Sequence, residues 1–208
     1  MNSESATSFW LVASLYDQAP SRGDFEKLTE SLALSLAENN DSVLKSLYDA
    51  ITKALSTEDS FRDVQKDYVR LIAGLREGYG VTPPYESVYR DKANPGRTMI
   101  DLASIYSAWG VLEQLRSMGA DDFIGTELRY IGLMLYSNEN DQKQQAIGEF
   151  FDDHLKQWLP AYLSNAQEGA QTDYYRLVLT LTQQLYNSLE NAIQRPLKQA
   201  SIESNSTG

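Results

Sequence analysis

The residues best suited to recognition chemistry follow an amphipathic helix that ends near Ala73. Asp-Tyr-Val-Arg-Leu-Ile-Ala leads into Gly74, Gly78 and Gly80, then Pro83-Pro84, then Tyr85, Glu86, Ser87, Tyr89 and Asp91. Adjacent prolines hold φ at about −65° and push the preceding residue into extended geometry, so the chain after them is stiff. A stiff loop that displays aromatic rings and a carboxylate is a place to look for binding. Tyr85–Asp91 reads either as a recognition loop or as a buried turn whose rings plug the core. Ser87 is either a contact or an N-cap, and Tyr89 either surface or core. The sole histidine, His154, lies beside Glu149, Asp152 and Asp153. One imidazole with carboxylates at mixed helical spacing is a poor metal set, and no second histidine completes a facial triad. No Gly-x-Ser-x-Gly elbow supplies a nucleophile. The glycines at 74, 78 and 80 make neither a P-loop nor a dinucleotide fingerprint, because no Lys-Ser/Thr follows and no strand precedes. A chain without cysteine has no disulfide, thiolate nucleophile or zinc-thiolate site. No catalytic residue, no metal and no cofactor is therefore expected. His154 is read as a structural hydrogen-bonding group near Trp158, and a small-molecule hydrolase would rest on His154 alone.

The elements that must position these residues are helical almost throughout. Phe25, Leu28, Leu32 and Leu36 give one apolar stripe over Asp24–Glu38. Val43, Leu44, Leu47, Tyr48, Ile51 and Leu55 give the next, from about Asp41. Ser56, with Asp59 three residues on, is the expected N-cap of a helix through Phe61, Val64, Tyr68, Leu71 and Ile72. Thr98 to Met118 reads as a single helix, and Asp121 or Asp122 as the cap of the one carrying Ile124, Leu128, Ile131 and Leu135. A capping carboxylate there can face a cleft or serve the helix alone. Asp141 with Gln144 opens a helix toward Leu155 and Trp158 before Pro160, and Asp173 to Ile193 forms the last, stopping at Pro196. Trp10, Trp109 and Trp158 fall at apolar helix positions and are expected in the core. No run alternates as a strand would, and no repeat of solenoid length is present. The expectation is an all-α fold of about eight to ten helices. It forms one compact domain over residues 1–196, with a flexible tail over 197–208. The long break from Gly74 to Pro95 is a functional loop or a hinge between two helical halves.

Eighteen basic against twenty-nine acidic residues leave a net charge of −11. That balance opposes nucleic acid and anionic membrane surfaces and favours a cationic partner. Nothing approaches the ~20 apolar residues of a membrane span, and the first residues lack the basic region of a secretory signal. The expected location is the cytoplasm.

Three blocks resemble the TorD/DmsD/NarJ family of redox-enzyme maturation chaperones. The Pro83–Tyr89 segment is similar to the family's Pro-Pro-x-x-Ser-Val-Tyr-like run. Gly119-Ala-Asp-Asp-Phe-Ile-Gly-Thr-Glu-Leu128 resembles its Glu-Pro-x-Asp-His hinge and following helix, Asp122 matching the hinge Asp and Glu127-Leu128 the helix. Phe123 stands where the family has His and Ala120 where it has Pro, so no role of that His carries over. Phe150-Phe-Asp-Asp-His-Leu-Lys-Gln-Trp-Leu-Pro-Ala-Tyr162 looks like Phe-x-x-x-His-Leu-x-x-Trp-x-Pro-x-Phe, with His154, Trp158 and Pro160 as its landmarks. Order and spacing of all three agree.

The resemblance implies a non-enzymatic, all-helical, cytoplasmic chaperone. Its partner would be a molybdopterin-containing oxidoreductase subunit, whose twin-arginine leader or body it binds until cofactor insertion and folding are complete. Two guanidinium groups followed by an apolar segment need carboxylates beside an apolar groove. Glu86, Asp121 and Asp122 would then accept bidentate bonds from arginine, and Tyr79, Tyr85 and Tyr89 would stack or line the groove. Pro84, Ser87 and Glu127 complete the implied site. The alternative is a leader-independent assembly scaffold of the NarJ kind. A monomer and a domain-swapped dimer are both compatible with the family.

Overall fold

Local capping starts several helices where the sequence places them. Asp41 is extended and accepts from the N–H groups of Val43 (2.7 Å) and Leu44 (3.2 Å), which begins helix α3. The next N-cap is Thr57 rather than Ser56: its hydroxyl accepts from the Ser60 N–H at 3.0 Å. In the computed structural model, residues 3–38, 41–74, 80–136 and 141–205 are described. Their order is α1 Ser3–Ser14, α2 Arg22–Glu38, α3 Ser42–Leu55, α4 Glu58–Tyr68, α5 Glu86–Arg90, α6 Pro95–Ala108, α7 Leu112–Arg116, α8 Ile124–Tyr136, α9 Asp141–Phe150, α10 Lys156–Gly169 and α11 Asp173–Asn205. Wider π-turns extend α4 over Val69–Ala73 and link α9 to α10 over Phe151–Leu155. Among the described residues the one β pairing is an isolated antiparallel bridge between Tyr85 and Phe123. The fold is all-α, as the periodicity predicts.

Several boundaries differ from the sequence reading. The expected helix from Thr98 to Met118 is two, because Gly110 adopts φ +70 after α6 and turns the chain into α7. Pro160 does not end its helix but sits inside α10, one turn after the π-turn that widens the backbone ladder. Helix α11 continues past Pro196 to Asn205. The long break after Gly74 contains the short helix α5.

The chain divides into two compact units, Met1–Leu15 with Tyr85–Pro160 and Leu181–Gly208, and Tyr16–Pro84 with Ala161–Thr180. In the first, α1 lies along α8. Phe9 and Val12 are buried on α1, and Leu128 and Ile131 on α8. In the second, Phe25 meets Phe61 edge-on at 5.8 Å and Tyr174 at 4.8 Å, with Leu47, Ile51 and Val64 buried. That unit also holds a fully buried carboxylate, Asp67. Its Oδ2 accepts from the backbone N–H of Gln171 (2.9 Å) and Thr172 (2.7 Å) and from the Thr172 hydroxyl (2.8 Å), while Oδ1 pairs with Arg70. One residue of α4 thereby ties down the start of α11. Among the described residues Leu34, Val43, Met99, Ile100, Met118 and Tyr136 are the larger apolar side chains left in solvent.

Candidate functional site

The two segments singled out in the sequence, Tyr85–Tyr89 and Asp121–Glu127, meet in the first unit. Besides the Tyr85–Phe123 bridge, the Glu86 N–H donates to the Asp122 carbonyl at 2.9 Å. The Ser87 hydroxyl donates to Asp122 Oδ2 at 2.5 Å and the Ser87 N–H lies 3.4 Å from the same oxygen. Helix α5 has no cap of its own, since Tyr85 at its N-cap position offers no acceptor. Asp122 therefore satisfies a donor of α5 from across the bridge, not of α8 as the local pattern suggests. Phe123, in the place where the resembled family has a histidine, packs tilted against Tyr85 with ring centroids 5.2 Å apart. Asp121 also faces away from α8. Arg116 chelates it, with Nε 3.1 Å from Oδ1 and Nη2 2.9 Å from Oδ2, and these bonds raise the Arg116 pKa. The Tyr106 hydroxyl donates to the Asp121 carbonyl at 3.1 Å.

Glu86 lies at the centre with no exposed surface. It pairs with Arg90, one helical turn on, and His154 Nδ1 lies 3.0 Å from both of its oxygens. The π-turn carries His154, whose ring stacks on Phe150 at 5.0 Å and 25°. Glu127 is also fully buried; its Oε2 accepts from Trp158 Nε1 at 3.2 Å. Desolvation raises its pKa well above the usual carboxylate range, and the neighbouring Glu86 charge adds to that. Burial beside a second carboxylate disfavours the charged form, so Glu127 holds its proton more tightly than an ordinary glutamate does. Glu86 thus collects Arg90 and His154 beside the buried Glu127. This is a buried polar junction, and among the described residues no cluster of three or more His, Cys, Asp or Glu could hold a metal ion.

An open groove of about 720 Å³ lies beside this junction, lined by Arg90, Asp91, Arg97, Asp101, Asp153 and His154 among others. Arg90 thus faces Glu86 on one side and solvent on the other, with its side chain 35% exposed. Tyr89 is half-buried against Trp158, with centroids 5.6 Å apart. Tyr85 is half-buried too, and burial with the nearby Asp122 charge raises its phenol pKa.

The structure accordingly brings Tyr85, Glu86, Ser87, Tyr89, Asp121, Asp122, Glu127, His154 and Trp158 into one neighbourhood. Pro84 is buried just before it, Pro160 is exposed on α10, and Tyr79 lies outside the described residues. The carboxylates expected to await a guanidinium are buried and held internally: Glu86 by Arg90 and His154, Asp121 by Arg116, Asp122 by Ser87; Glu127, also of the implied site, is held by Trp158. Sequence reasoning missed both arginines. The i,i+4 spacing of Glu86 and Arg90 was a readable signal; Arg116 reaches Asp121 across a turn that carries none.

A family model described as nitrate reductase delta subunit matches residues 33–164. Three relatives, each named chaperone protein TorD, come from Vibrio cholerae serotype O1. Those of strains M66-2 and O395 are 24% identical over 212 residues, and that of strain N16961 is 23% identical. Each alignment spans 93% of this chain and 96% of the relative. No solved structure matches. Among the described residues no helix is long and apolar enough to cross a membrane.

Proposed function

The chain belongs to the nitrate reductase delta subunit family, and from that membership we propose that it receives the twin-arginine leader of a molybdopterin-containing oxidoreductase subunit in the cytoplasm. Its relatives bear the name of a chaperone, and the chain is a redox-enzyme maturation chaperone, not an enzyme. The finer reading is that binding hides the leader from export, and that release is coupled to folding of the client around its cofactor. The observation that carries it is the pairing of two carboxylate-bearing loops, Glu86 on one and Asp121-Asp122 on the other. They are joined by the Tyr85–Phe123 bridge and flanked by the half-buried rings of Tyr85 and Tyr89. Two guanidinium groups need two carboxylates at fixed separation, and a bridge between the loops supplies that rigidity. Asp122, Ser87, Glu127, His154 and Trp158 act as the frame that holds the pair in place.

Calorimetric titration with leader peptides of candidate clients, each beside its twin-lysine version, tests this. Binding near 1 μM, about −8 kcal/mol, that weakens at least tenfold with lysine supports leader recognition. Lysine keeps the charge but not the planar two-pronged donor. A second reading, assembly scaffold without leader binding, is favoured by the internal satisfaction of Glu86, Asp122 and Glu127. It stands if no leader binds while the folded subunit still co-purifies.

A further inference from the structure

We propose that Glu86 and Asp121 form a two-guanidinium receptor that the free chain keeps filled with its own Arg90 and Arg116, so that a client's arginine pair binds by exchange. This rests on the leader reading above and specifies how that site is regulated. Each acid is buried, 0% exposed for Glu86 and 4% for Asp121, while the arginine on it is open to solvent, 35% exposed at Arg90 and 48% at Arg116. A buried carboxylate whose only partly exposed partner is a guanidinium has one face from which a ligand can reach it, and that face is the one the arginine occupies. Arg116 grips Asp121 through Nε and Nη2, the fork a foreign arginine would present. Arg90 pairs with Glu86 and also lines the open groove, so it can swing outward without displacing the core. The backbone bond from the Glu86 N–H to the Asp122 carbonyl, 2.9 Å, sets the two acids in adjoining segments.

The arrangement has a physical reason. An emptied receptor would leave buried, unpaired charges, which is costly. The chain's own arginines remove that cost in the free state and return to solvent when the client binds. His154 stays on Glu86 throughout, so the carboxylate is never stripped of all its donors. A leader must outcompete an intramolecular rival, so the apparent affinity is lowered by the fraction of time the rival is away.

The test is titration of the full chain at low salt with a synthetic peptide bearing an Arg-Arg pair and an apolar run, in wild type, Arg90→Gln, Arg116→Gln and the double variant. Lys92→Gln, which removes one exposed positive charge two residues from Arg90, measures the general effect of net charge. Exchange predicts that each arginine variant binds about two- to five-fold tighter, the scale of a partly exposed ion pair, with Lys92→Gln changing affinity less than about two-fold. Arginine variants that bind no tighter than Lys92→Gln, beside a wild type that does bind, overturn exchange and leave the leader reading standing. A chain that binds no leader in any form overturns both. Should Arg90→Gln fail to fold, Arg116→Gln carries the test alone, its side chain being half in solvent.

Discussion

Glu127 offers the sharpest test of the buried junction. Replacing it with glutamine keeps the shape, keeps an oxygen for Trp158 Nε1 and provides an N–H for Glu86, but removes the titratable proton. In the wild type the folded pKa stands above the ordinary value of 4.5, because the group is fully buried beside Glu86. Above pH 4.5 the unfolded chain releases this proton while the folded chain keeps it. The proton's contribution to stability is thus complete below pH 4.5 and is lost progressively as pH rises through the folded pKa. The limiting slope is about 1.4 kcal/mol per pH unit. Between pH 5.5 and 7.5 the wild type should lose up to roughly 3 kcal/mol relative to Glu127→Gln. For a chain of 208 residues each kcal/mol moves Tm by about 2–4 °C, so the two melting curves should diverge by at most roughly 6–12 °C across that window. Thermal melts by circular dichroism at matched ionic strength read the difference directly, and the comparison cancels the titrating groups that do not adjoin Glu127. Parallel Tm profiles, or a wild type that gains on the variant as pH rises, would refute a protonated Glu127 in the folded state.

Two further substitutions probe the other unit. Asp67→Asn should cost about 2–4 kcal/mol, read from the urea midpoint, because a buried oxygen that accepts three hydrogen bonds is exchanged for a side chain that cannot also pair with Arg70; a midpoint within error of wild type would mean the junction contributes little. Gly80→Ala should cost more than about 2 kcal/mol, since φ is +95 and the added Cβ would lie 2.1 Å from the Arg70 carbonyl oxygen. Gly110→Ala, at φ +70 with nothing within 4 Å, should cost only about 1 kcal/mol. Equal losses at the two glycines would show that backbone preference and not the close approach decides.

Much of this protein was legible in its sequence because the relevant physics is local. Helical spacing placed Phe25 and Leu32, Leu47 and Ile51, and Leu128 and Ile131 on buried faces, and all six are buried. Asp41 marked a helix start that its own side chain creates. The three blocks around Tyr85, Asp122 and His154 carried the family, and the structure draws residues of all three into one neighbourhood. Where local signals failed, a neighbour distant in sequence had intervened or a glycine had done more than expected. Gly110 split the helix read from Thr98 to Met118, and Pro160 was accommodated inside one.

The sequence by itself determined an all-helical chain, its acidic charge and which carboxylates and rings it carries. Only the tertiary structure decided what each of those carboxylates is paired with. Ser87 and Asp122 are 35 residues apart, Glu86 and His154 are 68 apart, and Glu127 and Trp158 are 31 apart. No helical period links such positions, because their pairing is set by how the helices close on one another. A buried carboxylate must find donors wherever packing supplies them. Composition shows how many acids the chain has; the fold alone assigns each one to a ligand, a cap or a neighbour.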